Sequence, residues 1–65
     1  MTNNEAITEL QELHKTSPET LRLRIQTVLF TAVVARENDE WDEELAVAVG
    51  QFIIEVRRAL SFDKP

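Results

Sequence analysis

"SPETLRLRIQTVLFTAVVARE", residues 17–37, decides the fold, and it can be read in two ways. The segment "LRLRIQ", residues 21–26, alternates apolar and polar side chains with a period of two. Thr27, Val28, Thr31, Val33 and Val34 are β-branched. Both features suit a strand. Against them, Ser17 is a good N-cap, Pro18 fits a first helical position, and Glu19 meets the positive end of a helix dipole. No Gly or Pro interrupts the chain from Thr20 to Glu37. The cap and the unbroken length predict a helix over 18–37.

Wound at about 100° per residue, this helix carries two apolar stripes. Leu21, Ile25, Val28, Ala32 and Ala35 form one; Leu23, Thr27, Phe30 and Val34 form the other, roughly opposite. A helix that is apolar on opposed sides must be covered on both.

The segments on either side also read as helices. A short one runs over 4–14, capped by Asn3 or Asn4, with Ala6, Ile7, Leu10 and Leu13 as its stripe. Alone it is too short to persist, since isolated helices below ~12–15 residues are marginal in water. His14, near its end, reads as a partner for the negative end of its dipole or as a solvated residue. A third helix runs over 40–60, with Asn38, Asp39 or Asp42 as its cap and Arg57 and Arg58 in its last turns. Its broad apolar face comprises Trp41, Leu45, Val49, Phe52, Val56, Ala59 and Leu60, with Ile53 at the border. Val47 and Ile54 form a smaller patch behind, beside Ala46 and Gly50, which are small enough for close helix approach. Residues 61–65 read as a tail, whose Phe62 can fold back on the core or meet a partner. Arg22 and Gln26, and Arg36 and Glu40, stand at the spacing of helical neighbours.

The totals limit what such a chain can do. Its 65 residues make one small domain, 1–65. A domain of this size buries only about 60% of its unfolded surface, so its core is marginal. There is no Cys and a single His, which removes disulfides, thiolate metal sites and His-built metal sites as reinforcement. Self-association is what remains. The expected fold is therefore all-α: an antiparallel helical hairpin with a short N-terminal helix, forming a dimeric helical bundle; the alternative is a monomeric three-helix bundle with the first helix across the open face. Leu23, Phe30, Val34, Val47 and Ile54 are the expected interface between copies.

At 43% hydrophobic and 29% charged residues the composition is that of a globular chain. Net charge is −5, which disfavours direct nucleic-acid or anionic-membrane binding and suits a basic protein partner. Apolar runs never exceed five residues, far below the ~20 of a membrane span. The first residues lack the basic and apolar regions of a secretory signal, so a cytoplasmic setting is expected. One Gly cannot build a phosphate-cradling loop, and one His without Cys cannot build a nucleophilic set.

Only "RENDEWDEEL", residues 36–45, attracts a chemical reading, because six of the eight residues from Glu37 to Glu44 are acidic. A calcium loop needs a Gly at its sharp turn, and Gly50 is too distant. The paired E-x-x-E and E-x-x-D motifs of helical nucleotide pyrophosphatases are met only by Glu37 and Glu40, since Glu55 is followed three residues on by Arg58. Neither metal nor cofactor is expected. Helix initiation accounts for acidic residues here, with Trp41 as a hydrophobic anchor. The same turn offers a docking rim of Glu37, Asp39, Glu40, Trp41, Asp42, Glu43 and Glu44 to a basic partner. The expected function is that of a small acidic, non-catalytic interaction module: an adaptor, inhibitor or regulator acting as a homo-oligomer. The alternative is an acidic mimic of nucleic acid that inhibits a DNA- or RNA-binding protein.

Overall fold

The computed structural model describes residues 2–62. Residues 63–65 of the expected tail, and the side chain of Phe62, lie outside the described residues. The described chain is helical: α1 Asn3–Thr16, α2 Glu19–Glu37 and α3 Glu43–Phe62, with no strand. None of these helices is long and apolar enough to cross a membrane.

The segment that alternates with period two is helix, for reasons visible in its side chains. Ile25, Ala32 and Ala35 are buried, and Leu21 and Val28 are half-buried, so the inner stripe meets the core as a helical face does. The β-branched threonines are accommodated by back-bonding. The Thr27 hydroxyl donates to the Leu23 carbonyl at 2.9 Å, and the Thr31 hydroxyl donates to the Thr27 carbonyl at 3.0 Å. Each hydroxyl is thus satisfied within its own helix.

Apart from the end of α2 at Glu37, every helix boundary differs somewhat from expectation. Thr2, one residue ahead of Asn3, caps α1: its Oγ1 accepts from the Glu5 N–H at 3.2 Å. Helix α1 also continues two residues past His14, to Thr16. Ser17 therefore ends α1 instead of capping α2. Its N–H donates to the Leu13 carbonyl at 2.9 Å, and its backbone is extended at φ −87 and ψ 150. Pro18 imposes that conformation, because its ring clashes with a helical residue before it. The N-cap of α2 is Pro18, which offers no side-chain bond; its carbonyl accepts from the N–H groups of Leu21 and Arg22. Arg22 turns back to donate from Nε to the Ser17 carbonyl at 3.1 Å. Helix α3 starts later than expected, at Glu43, and runs on to Phe62. Arg57 and Arg58 consequently sit in its body and not in its last turn, and Ser61 and Phe62, expected as tail, are helical.

The core draws on all three helices. Ala6, Ile7, Leu10 and Leu13 come from α1, Ile25 and Ala32 from α2, and Val49, Ile53 and Val56 from α3. The buried centre of α3 thus includes Ile53, which the sequence had placed at a border. Helix α1 packs most extensively on α2 and next on α3, while α2 and α3 approach each other least. The short first helix is therefore the element on which the other two lean. Two polar contacts tie the ends together: Arg57 of α3 pairs with Glu9 of α1, and the Arg24 guanidinium of α2 lies 5.9 Å from the ring centre of Phe52 in α3. Both are at the surface and contribute at most ~1 kcal/mol each.

Ser17 is 2% exposed, and its hydroxyl has no hydrogen-bond partner among the described residues. A buried unsatisfied hydroxyl is costly. Ser17→Ala is therefore expected to leave stability unchanged or raise it by about 1 kcal/mol, whereas loss of an N-cap would lower it by about that much. The sign of the shift in a urea melt decides between the two roles. Leu10→Ala empties the centre of the core and should cost ~2–5 kcal/mol, enough to abolish a cooperative thermal transition in a domain this small.

Candidate functional site

The acidic stretch forms the link between α2 and α3, and its two halves have different causes. The last turn of α2 closes with three backbone bonds: Asn38 N–H to the Val34 carbonyl at 2.9 Å, Asp39 N–H to Arg36 at 3.3 Å, and Glu40 N–H to Ala35 at 2.8 Å. The last two are the pattern of a Schellman ending, and Asp39 occupies its left-handed position at φ 57. Asp42 then starts α3. Its Oδ1 accepts from the Leu45 N–H at 2.7 Å, and its carbonyl accepts from the Ala46 N–H at 3.0 Å.

Helix initiation accordingly explains Asp42, Glu43 and Glu44, the cap and first turn of α3. It does not explain Glu37, Asp39 and Glu40. These stand at the carboxyl end of α2, where the dipole disfavours negative charge. Asn38 and Asp39, both expected as possible caps of the third helix, serve instead to end the second. Glu40 lies beyond the end of α2, so Arg36 and Glu40 are not helical neighbours.

Trp41 is half-buried and packs against the core cluster, as an anchor does. The carboxylates around it are exposed. Among the described residues no three His, Cys, Asp or Glu side chains converge in a way that could hold a metal ion.

Four of the five residues expected at an interface are the large apolar side chains left bare: Leu23 at 74%, Phe30 at 69%, Val47 at 54% and Ile54 at 51% exposed. Val34 is half-buried. On α2 the bare stripe is more apolar than its sequence suggests, because the Thr27 and Thr31 hydroxyls are turned to the backbone.

The fold brings several of these residues together. A shallow groove between the end of α2 and the start of α3 is lined by Phe30, Val34 and Leu45, with Glu40 and Asp42 at its edge. Asp42, Glu43, Glu44 and Val47 line an adjoining depression. A third groove, mostly apolar, lies at the far end of α3, where Ile54 is flanked by Arg57, Arg58 and Ser61. The sequence reading missed this basic-edged groove; the signal was Arg58 four residues after Ile54, one helical turn on. Leu23 stands apart from all three. Comparison with protein-family models, curated proteins and solved structures returns no match for this chain.

Because Asp39 combines a left-handed backbone with a charge at the wrong end of α2, Asp39→Gly should raise stability by about 0.5–1 kcal/mol. Asp42→Ala removes the cap of α3 and should lower it by about 1 kcal/mol. Urea midpoints moving in opposite directions at unchanged slope would establish the division of the acidic stretch.

Proposed function

We propose that this chain is a small, non-catalytic interaction module that works as a homo-oligomer, a dimer in the simplest case, and offers its acidic turn to a basic protein in a cytoplasmic setting. The observation that carries this is the bare apolar surface: Leu23 and Phe30 on α2, and Val47 and Ile54 on α3. An apolar side chain of this size contributes roughly 1.5–3 kcal/mol when fully buried. Four left in water are a large forfeit for a domain whose whole stability is on the order of 5 kcal/mol.

Surface area supports the same reading. The chain exposes 4823 Å², against about 4,250 Å² for a globular monomer of this mass. Its radius of gyration is 11.7 Å, against about 10.7 Å for a compact chain of this length. Pairing α2 and α3 as an antiparallel hairpin, favoured by the Arg24–Phe52 contact, and joining two copies would make a helical bundle. Glu37, Asp39 and Glu40, which helix initiation leaves unexplained, remain as the rim for a basic partner.

The nucleic-acid mimic is less well supported. Such a mimic needs carboxylates at regular intervals over one surface, and here six of the 12 acidic residues crowd into residues 37–44.

In sedimentation equilibrium the chain is expected to show a concentration-dependent species of twice its 7.5 kDa mass. Phe30→Glu combined with Ile54→Glu, one charge on each bare helix face, should return it to a single chain with its helical circular dichroism intact. Replacing the six carboxylates of 37–44 by amides should abolish salt-sensitive capture of a basic protein from the native host. Capture that is unchanged would remove the acidic rim from the proposal.

A further inference from the structure

The outer face of α3, which carries the bare Val47 and Ile54, has an order along its length. Glu43, Val47, Ile54 and Arg58 lie within about 60° of arc on one side of the helix, with Gly50 and Gln51 straddling the middle. All are exposed except Gly50, which is half-buried. Along the helix this face runs acidic, apolar, small, apolar, basic. Turned end for end, the series is its own complement. Glu43 meets Arg58, Val47 meets Ile54, and Gly50 meets Gln51.

We propose that a second copy of this chain docks on this face, α3 against α3 in antiparallel sense, with a two-fold axis passing between Gly50 and Gln51. The inference rests on the homo-oligomer reading above and supplies its interface and register. A two-fold contact must be self-complementary, because each surface meets its own copy. An acidic end and a basic end on one helix face satisfy that only if the two helices are antiparallel; a parallel pair would set Glu43 on Glu43 and Arg58 on Arg58.

Gly50 fits the crossing point. A methyl group added there would meet nothing within 4 Å of it inside the chain, so packing within the monomer does not require glycine. A glycine in a helix interior costs roughly 0.5–1 kcal/mol against alanine. Close approach of a second helix, at the ~8 Å end of the usual 8–10 Å range, supplies a reason for it. The grooves agree. The basic-edged groove beside Ile54 is carried toward the partner's depression lined by Asp42, Glu43 and Val47. Glu37, Asp39 and Glu40 are not consumed by this contact.

The absence of cysteine makes the test clean. Two positions seven residues apart on one helix are separated by about 10 Å along its axis, too far for a disulfide. Val47→Cys and Ile54→Cys in one chain should therefore give a covalent dimer on mild oxidation, while each single variant should give none. If each single variant cross-links to itself, the helices are parallel and the register is overturned. In a second measurement, Glu43→Arg or Arg58→Glu alone should weaken dimerisation at least tenfold by sedimentation, and the two together should restore it; no restoration counts against the pairing. If the native chain dimerises but only Phe30→Cys cross-links, the α3 pairing falls while self-association stands. If the native chain sediments as a single 7.5 kDa species at millimolar concentration, both fall.

Discussion

Helix α2 is apolar on two opposed sides, and one polypeptide of this length has only enough helix to shelter one of them. The inner stripe, centred on Ile25 and Ala32, takes what α1 can supply in Ala6, Ile7, Leu10 and Leu13. The outer stripe is left largely bare, with Leu23 and Phe30 exposed and Val34 half-buried. Most of what distinguishes this molecule follows from that shortage: the surface in excess of a compact monomer, the bare Leu23 and Phe30, and the elongated outline of 41 × 18 × 14 Å.

The helical class and the core face of each helix were legible in the sequence because both depend on periodicity, which survives errors of one or two residues. The bare residues were legible for the same reason: Leu23, Phe30, Val47 and Ile54 lie off the core arc of any helical wheel. Caps were not legible to the residue. Ser17 before Pro18 looks like the start of a helix, yet the same Pro-imposed extended backbone equally ends the helix before it. Sequence alone does not reveal that α1 extends to Thr16 and claims Ser17 as its last hydrogen-bond donor. The priority of α1 in the packing was also hidden, since nothing local states which helix will lie against the other two. Contacts such as Glu9 with Arg57 join residues too distant in sequence for spacing to reveal.

The acidic link shows how one compositional feature can have two origins. Its second half is what helix α3 needs to begin. Its first half sits where helix α2 would favour the opposite sign, and there Asp39 also takes a backbone conformation that glycine adopts more readily. Charges held against the local dipole are candidates for work at the surface, which is why Glu37, Asp39 and Glu40 carry the proposal of a basic partner and Asp42 does not.

The junction between α1 and α2 has a kinetic consequence. Only Ser17 and Pro18 separate the two helices that pack most extensively, and the proline ring removes much of the torsional freedom that remains. Loop closure between them is therefore cheap in entropy, and contacts between sequence neighbours dominate the barrier. Folding of the single chain thus belongs to the microsecond-to-millisecond class of small helical proteins. If two chains pair as proposed, their encounter, being second order, is the step that concentration can slow or hasten.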